Sequence, residues 1–314
     1  MTNFTAGRIC PIAYRYGAEA IALAPVIDAE TLYVVGGLYG NQFALQTVLE
    51  MAAVEHSSVT ICFNGDFNWF NVDEHGFKHI NDVVLKHDAL LGNVEYEFRN
   101  EDVLAGCGCA YPESVAQDIV EYSNEIHVQL KTTARNFPQV LEKLAGLPLF
   151  KRYRIDEQII TAVHGDADSL AGWAFDAAAL KDPTNAQSIR QNFARAQTDI
   201  FASTHTCLPM LRQFLRPAPR QYGCVINNGA AGMPNFTNTS FGLLTRISRH
   251  PSPHTPVYGT KQRSLFIDAL PIKYDADQWR QHFVSIWPEG TAAHRSYFAR
   301  IMNGPDFLPM DAAP

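Results

Sequence analysis

The sequence lacks any run of Lys or Arg that would form a basic surface, and its net charge is -7 with a pI near 5.9. This balance argues against a nucleic-acid surface and favours a small molecule as the partner. No window approaches the roughly 18 uninterrupted apolar residues that span a bilayer, and residues 1–12 lack the basic region and apolar core of a signal peptide. We therefore expect a cytoplasmic protein that does not bind a membrane.

Cysteine is scarce, and the six residues are Cys10, Cys62, Cys107, Cys109, Cys207 and Cys224. They form no zinc-finger spacing, and a chain of 314 residues does not need disulfides for stability, so we predict free thiols. The Cys107-Gly108-Cys109 segment could be a redox or metal-binding element. Because it has neither the Cys-x-x-Cys spacing nor a thioredoxin-like context, a structural role is favoured.

Apolar residues make up 46% of the chain, which is enough for one large α/β domain or two smaller ones. Strand-like and helix-like segments alternate in the first hundred residues. Thr31–Val35, Val59–Phe63 and Ala89–Leu91 are apolar strand candidates, and Asn41–Glu55 has apolar residues at helical spacing with Asn41 as a plausible N-cap. This βαβαβ order predicts a parallel sheet.

The pattern changes over residues 101–147, where two predicted helices, Glu113–Lys131 and Phe137–Leu144, have no strand between them. We predict a helical insertion over the strand ends, which could act as a lid. The later strands follow Gly- and Pro-rich turns typical of an antiparallel sheet, and they are Phe150–Ile155, Gln158–Val163, Ile200–Ser203, Cys224–Asn227, Phe241–Ile247 and Leu265–Ile272. The tail beyond Met302 is expected to be loose.

Four short polar blocks follow apolar runs and are predicted to lie at strand ends, where α/β folds keep their chemistry. The side chains that they provide are Asp66, Asn93, His164 and His205. Two oxygen and two nitrogen ligands can hold one divalent ion, and Zn²⁺, Mn²⁺ and Fe²⁺ suit the set about equally. Asp166 and Asp168 follow His164 closely and could either hydrogen-bond its ring or cap the next turn.

The chain resembles the calcineurin-like metallophosphoesterases in five ordered blocks. They are Gly36-Gly37-Leu38-Tyr39-Gly40-Asn41, Gly65-Asp66, Gly92-Asn93-Val94-Glu95, His164-Gly165 and Thr204-His205-Thr206-Cys207. In that family the blocks read Gly-Asp-x-His-Gly-Asn, Gly-Asp-x-x-Asp, Gly-Asn-His-Glu, His-Gly and Gly-His-x-His. The resemblance implies that residues 1–314 form one domain, a four-layer αββα sandwich of mixed sheets carrying the helical insertion. It also implies two metal ions at the strand ends that promote attack on phosphorus.

The match to the two metal positions is uneven. In the family pattern, the second ion takes the bridging Asp, the Asn and two His, and all four are present here as Asp66, Asn93, His164 and His205. The first ion takes the bridging Asp together with an Asp and a His of the first block and the last His. At those last three places this chain has Gly37, Tyr39 and Cys207. The resemblance therefore implies one complete metal position and one degraded position.

Two outcomes are open for the degraded position. Tyr39 as a phenolate and Cys207 as a thiolate could still bind a metal ion together with Asp66, because coordination deprotonates such groups. Alternatively, Tyr39 and Cys207 simply fill the volume left by the missing ligands, and this interpretation is favoured.

A further departure concerns the leaving group. The family's Gly-Asn-His-Glu block carries a His that can protonate the leaving group or stabilise phosphoryl charge, and here that residue is Val94, which can do neither. Glu95, Glu97, His75 and His79 are candidates for a substitute acid only because they are near in sequence. His75 and His79 are four residues apart on a predicted helix, so a solvated surface role is favoured for them.

Two functions are consistent with these residues. The first is a metal-dependent phosphoesterase, a hydrolase of small phosphorylated molecules that uses one divalent ion. The second is a pseudoenzyme that retains the fold to bind metal or phosphate in a regulatory or scaffolding role. Retention of Asp66, Asn93, His164 and His205 supports metal binding under both.

Overall fold

Two six-stranded sheets form the centre of the molecule in the computed structural model, which describes residues 5–100, 105–215 and 222–313. The first sheet has the spatial order β1 (Val26–Asp28), β5 (Phe150–Ile155), β6 (Gln158–Val163), β7 (Ile200–Ser203), β9 (Tyr222–Asn228) and β8 (Pro209–Leu215). The second has the order β11 (Tyr258–Gln262), β12 (Leu265–Ile272), β10 (Gly242–Ser248), β2 (Thr31–Val35), β3 (Val59–Asn64) and β4 (Asp88–Leu90).

Both sheets are mixed. Strands β2, β3 and β4 pair in parallel, which confirms the parallel sheet predicted for the first hundred residues. Strands β6, β7 and β9 are also parallel, so the antiparallel arrangement predicted for the later strands is wrong for these three. Between β6 and β7 the chain forms helices instead of a tight turn. Between β7 and β9 the reason is β8, which the sequence analysis did not predict. It runs antiparallel to β9 and reverses the chain between β7 and β9.

The sheets pack face to face around an apolar core. In β2, Leu32 and Val34 belong to the cluster between the sheets, whereas Tyr33 and Val35 point the other way into a cluster shared with helices. Side chains alternate between the two faces of a strand, so a strand buried on both faces needs helices on its outer side. These residues explain the four-layer arrangement of helices, sheet, sheet and helices.

Eleven α-helices lie within the described residues. They are α1 (Ala18–Leu23), α2 (Gln42–Ala53), α3 (Glu74–Val84), α4 (Asn93–Glu97), α5 (Gln117–Ala134), α6 (Pro138–Ala145), α7 (Ala177–Lys181), α8 (Ala186–Arg195), α9 (Ala276–Ile286), α10 (Ala292–Asn303) and α11 (Pro309–Ala312). Apolar residues of α2, α3, α5, α9 and α10 cover the second sheet, and those of α1, α7 and α8 cover the first. None of the helices in the described part of the chain is long and apolar enough to cross a membrane.

Local sequence accounts for the start of α2. The side chain of Asn41 accepts hydrogen bonds from the main-chain N–H groups of Phe43 and Ala44, at 3.1 and 3.0 Å. These groups have no partner inside the helix, so a side-chain oxygen at this position fixes where the helix begins. The predicted N-cap is confirmed.

The predicted insertion and tail have different outcomes. Residues 101–104 of the insertion lie outside the described residues, and the remainder contains α5 and α6 with no strand between them. The tail was expected to be loose, and this is wrong. Phe307 stacks on Phe236 with ring centroids 6.3 Å apart, and Ala312 is fully buried, so apolar contacts hold the tail against the domain.

Candidate metal centre

Four loops bring the predicted ligands together at one edge of the sandwich. Asp66 and Asn93 follow β3 and β4 of the second sheet, and His164 and His205 follow β6 and β7 of the first sheet. All four residues are buried, with at most 7% of any of them exposed. The proximity predicted from the strand ends is therefore present, and each sheet supplies two of the side chains.

Hydrogen bonds to main-chain carbonyls define which nitrogen of each histidine is free. His164 Nδ1 lies 2.8 Å from the carbonyl oxygen of Asn64, and His205 Nε2 lies 3.0 Å from that of Cys109. A carbonyl oxygen only accepts, so each of these nitrogens carries the hydrogen and donates it. The lone pairs of His164 Nε2 and His205 Nδ1 consequently face the centre of the site. Metal-binding histidines commonly have this arrangement, in which the second ring nitrogen donates to a carbonyl or carboxylate.

The oxygen atoms are oriented in the same way. The side-chain nitrogen of Asn93 donates to the carbonyl oxygen of Cys107 at 2.9 Å, which turns Asn93 Oδ1 towards the histidines. One carboxylate oxygen of Asp66, Oδ1, accepts from the main-chain N–H of Val94 at 3.2 Å, which leaves Oδ2 for the centre. Main-chain groups thus hold all four side chains with an acceptor atom directed inward.

These acceptors crowd around a single point. His164 Nε2 lies 3.1 Å from Asn93 Oδ1, 3.2 Å from His205 Nδ1 and 3.3 Å from Asp66 Oδ2. A single proton cannot form hydrogen bonds to all four of these acceptor atoms. Atoms bound at about 2.0–2.2 Å to a tetrahedral ion are about 3.3–3.6 Å from one another. The distances of 3.1–3.3 Å are at or a few tenths of an ångström below this range, and the donor set suits a divalent ion such as Zn²⁺, Mn²⁺ or Fe²⁺.

The charges at the site support the same conclusion. Burial alone lowers the pKa of His164, but the adjacent Asp66 carboxylate outweighs burial and raises it above the usual value. Burial acts to raise the pKa of Asp66, and the charge of His164 reverses this and lowers it. Burial and the charge of His164 together lower the pKa of His205 to about 3.

The loops approach each other closely, which explains two glycines of the blocks. A Cβ atom on Gly65 would lie 2.5 Å from the backbone of Gly92 and 2.7 Å from His164 Nδ1, and one on Gly92 would overlap the Asp66 carboxylate. Only glycine leaves room for this contact. Asp66 itself has left-handed backbone, with φ of 52°. Such strain is typical of positions where function dictates the geometry.

Glu95 stabilises this strained turn. Its carboxylate accepts hydrogen bonds from the main-chain N–H groups of Asp66, Asn68 and Gly92, at 2.8, 3.1 and 3.3 Å. Burial and the nearby charge of Asp66 raise the pKa of Glu95 to about 7. Glu97 instead accepts a hydrogen bond from the hydroxyl of Tyr14 at 2.5 Å. Both carboxylates hold structure, so the suggestion that they replace the missing acid is not supported by their contacts.

Tyr39 and Cys207, the two side chains of the predicted degraded position, bond to each other. The Tyr39 hydroxyl lies 2.8 Å from Cys207 Sγ, and burial raises the pKa of both groups. Gly37 has φ of 64°, and a Cβ atom there would lie 2.8 Å from the Tyr39 ring. This contact fits the interpretation that Tyr39 and Cys207 fill the vacated volume. Their role as ligands remains a prediction.

A cavity of about 260 Å³ opens beside the ligands. Asp66, Val94 and His205 lie in its wall. Arg300 also lines it, and its guanidinium donates to the carbonyl oxygens of Pro234 and Cys207, at 3.2 and 2.6 Å. Neither carbonyl neutralises the positive charge, which is therefore available to an anion in the cavity.

Sequence reasoning missed the groups that orient the ligands. The carbonyl oxygens of Asn64, Cys107 and Cys109 hold His164, Asn93 and His205, but a carbonyl is present in every residue and leaves no signal in the sequence. A structural role was favoured for the Cys-Gly-Cys segment. That role is to orient Asn93 and His205, because the carbonyls of Cys107 and Cys109 belong to this segment. The His164 ring nitrogens bond to Asn64, Asn93 and His205, and Asp166 is not among these partners. Its carboxylate accepts from main-chain N–H groups of the following turn, the capping role that was left open.

No protein-family model matches the sequence, and no curated protein matches it. Solved structures match the fold. A metallophosphoesterase from Sphaerobacter thermophilus is similar with a TM-score of 0.54 and 15% identity, over 88% of this chain and 100% of that chain. A hypothetical protein from Pyrococcus horikoshii is similar with a TM-score of 0.55 and 14% identity, over 88% of this chain and 99% of that chain. The protein therefore has the α/β sandwich fold of the metallophosphoesterases, which confirms the predicted fold class.

Proposed function

We propose that this protein is a calcineurin-like metallophosphoesterase that hydrolyses small phosphate esters with one divalent ion. The observation that carries the proposal is the convergence of four buried acceptor atoms, three of them within 3.3 Å of His164 Nε2. A shared fold alone does not define an activity, so the site has to supply the argument. Here the fold and the donor set support the same chemistry.

The residues of this chain have separate roles in the proposed reaction. The four ligands Asp66, Asn93, His164 and His205 would hold the ion, which when bound supplies Lewis-acid activation of a phosphoryl oxygen and of water. Arg300 binds the negative charge of the phosphate from the cavity wall. The carbonyls that fix the two histidine rings keep the ligands preorganised, which reduces the cost of assembling the site.

A panel of phosphomonoesters and phosphodiesters with added Mn²⁺, Zn²⁺ or Fe²⁺ tests the proposal. We expect metal-dependent turnover that His164→Ala abolishes, because this variant removes the atom at the centre of the site. His254→Ala is a matched control, since His254 also bonds a main-chain carbonyl, that of Met51 at 3.0 Å, but is no part of the ligand set. Turnover that persists in His164→Ala would contradict the proposal.

A second candidate function is binding of metal or phosphate without turnover. The hydrogen bond between Tyr39 and Cys207 favours it, because these side chains occupy the place of ligands that two-metal catalysis requires. Val94 favours it too, since it cannot donate a proton. Stoichiometric metal binding together with no turnover of any ester in the panel would support this function over the hydrolase.

A further inference from the structure

The cavity beside the metal ligands has an unusual wall for a site that binds an anion. Eight of its fifteen lining residues are aromatic or aliphatic, among them Val94, Tyr111, Trp173 and Tyr297. The lining contains one acidic residue, Asp66, and one basic residue, Arg300. An occupant therefore meets charge at one end and apolar surface over most of the remainder.

The apolar wall begins directly at the ligands. The ring of Trp173 lies edge-on to the ring of His205, with centroids 5.5 Å apart, and Trp173 Nε1 donates to the carbonyl oxygen of Cys109 at 3.1 Å. Tyr111 extends this surface, 5.9 Å from Trp173. The Cys109 carbonyl thus orients both the metal ligand and the neighbouring indole. A group attached to a phosphate at the metal position would contact the Trp173 ring.

The size of the cavity limits the group that fits. A dry apolar cavity of about 150 Å³ binds benzene. A volume of about 260 Å³ accordingly holds one six-membered ring and leaves roughly 100 Å³ for a phosphoryl group. The buried end of the cavity is formed by Asp66, Val94 and His205, whereas Trp173 and Tyr297 nearer its mouth are partly exposed. The phosphate belongs at the buried end and the ring nearer the mouth.

The wall offers little help to a leaving group that needs a proton. Val94 has none to give, and burial raises the pKa of the Tyr111 and Tyr297 hydroxyls above their usual value, which makes them weak acids at neutral pH. An alkoxide leaves slowly under these conditions. A phenolate leaves readily, because its ring stabilises the negative charge.

From these observations we infer that the substrates are phosphate esters of small aromatic alcohols, bound with the ring against Trp173. The inference rests on the proposed hydrolase function and specifies its substrate class. In the reaction, a water oxygen forms a bond to phosphorus while the bond between phosphorus and the aryl oxygen breaks. The aryl oxide departs with the electron pair and is protonated by solvent, and the proton lost from water also passes to solvent.

Binding of two non-hydrolysable phosphonates to the Mn²⁺-loaded protein tests the inference without depending on turnover. Phenylphosphonate carries the ring and methylphosphonate lacks it, and isothermal calorimetry measures both dissociation constants. We expect phenylphosphonate to bind at least tenfold more tightly. Trp173→Ala should reduce this ratio to threefold or less, and Trp173→Phe should restore most of it. Tyr222→Ala, which removes an aromatic side chain that is 50% exposed and outside the cavity, should leave the ratio unchanged.

The possible outcomes separate the inference from the proposed function. Equal affinity for the two phosphonates, each dependent on Mn²⁺, would overturn the aryl preference and leave the hydrolase intact. A ratio unaffected by Trp173→Ala would also overturn it. If neither phosphonate binds and no ester is hydrolysed, the proposed function itself fails.

Leaving groups provide a second measurement. Across a series of substituted phenyl phosphates, we expect the rate to fall at least tenfold for each two-unit rise in the pKa of the phenol. Val94→His should flatten this dependence by supplying a proton. A flat dependence in the wild type would show that another group already protonates the leaving oxygen, and would refute this part of the inference.

Discussion

Metal binding at the four converging acceptors should stabilise the protein against unfolding. An ion present at 100 times its dissociation constant adds about 2.7 kcal/mol to the free energy of unfolding. Unfolding entropy of about 2.1 cal/mol/K per residue amounts to about 0.66 kcal/mol/K for 314 residues. The melting temperature should therefore rise by about 4 °C when Mn²⁺ is added at that concentration to protein stripped with a chelator.

The variant His205→Ala should nearly abolish this rise. Loss of a residue that only hydrogen-bonds to a metal ligand weakens metal binding by up to about 100-fold. Loss of one of the four ligands themselves should therefore weaken it by about 100-fold or more. The same ion concentration then equals the dissociation constant and adds about 0.4 kcal/mol, a shift of less than about 1 °C.

Differential scanning calorimetry with and without the ion measures both shifts, and His254→Ala should keep the wild-type response. The reasoning would be refuted if Mn²⁺, Zn²⁺ and Fe²⁺ all leave the wild-type melting temperature unchanged. It would equally be refuted if His205→Ala responds as strongly as the wild type.

Two further predictions follow from close contacts described above. Gly37→Asp alone should lower the melting temperature, because its Cβ would lie 2.8 Å from the Tyr39 ring at a φ of 64°. Combining it with Tyr39→His should relieve that contact and raise the metal content, measured by elemental analysis, from one ion per chain towards two. Separately, Glu55→Ala should cost about 3 kcal/mol in denaturant unfolding, the lower end of the range for a broken buried pair. It removes the partner at 2.6 Å from Arg246, which is fully buried, and leaves Asp268 at 3.5 Å. Glu19→Ala, at an exposed ion pair, should change the free energy of unfolding far less.

Side-chain ligands were predictable from the sequence because they combine residue type with position. Asp66, Asn93, His164 and His205 each follow an apolar run, and strand ends of an α/β fold meet at one edge. The same reasoning could not find the Cys109 carbonyl, which orients both His205 and Trp173, because only the folded backbone directs a carbonyl.

The later part of the fold was less predictable. Strand β8 begins at a proline and was overlooked, and with it the reversal that makes β7 and β9 parallel. Strand direction depends on how many strands the chain forms in between, so one omitted strand changes the topology without altering any local pattern. The tail was misjudged for a similar reason, since its order comes from the contact of Phe307 with the distant Phe236.

The division of the ligands between the two sheets has a mechanical consequence. A divalent ion held by Asp66 and Asn93 on one side and His164 and His205 on the other would act as a cross-link between the halves of the sandwich. It would close the loop of residues 66–164 at one edge, and constraining a loop of about a hundred residues limits the unfolded chain more than the folded one. Removal of the ion should therefore loosen the two sheets from each other at this edge first, while the apolar core between them still holds the opposite edge together.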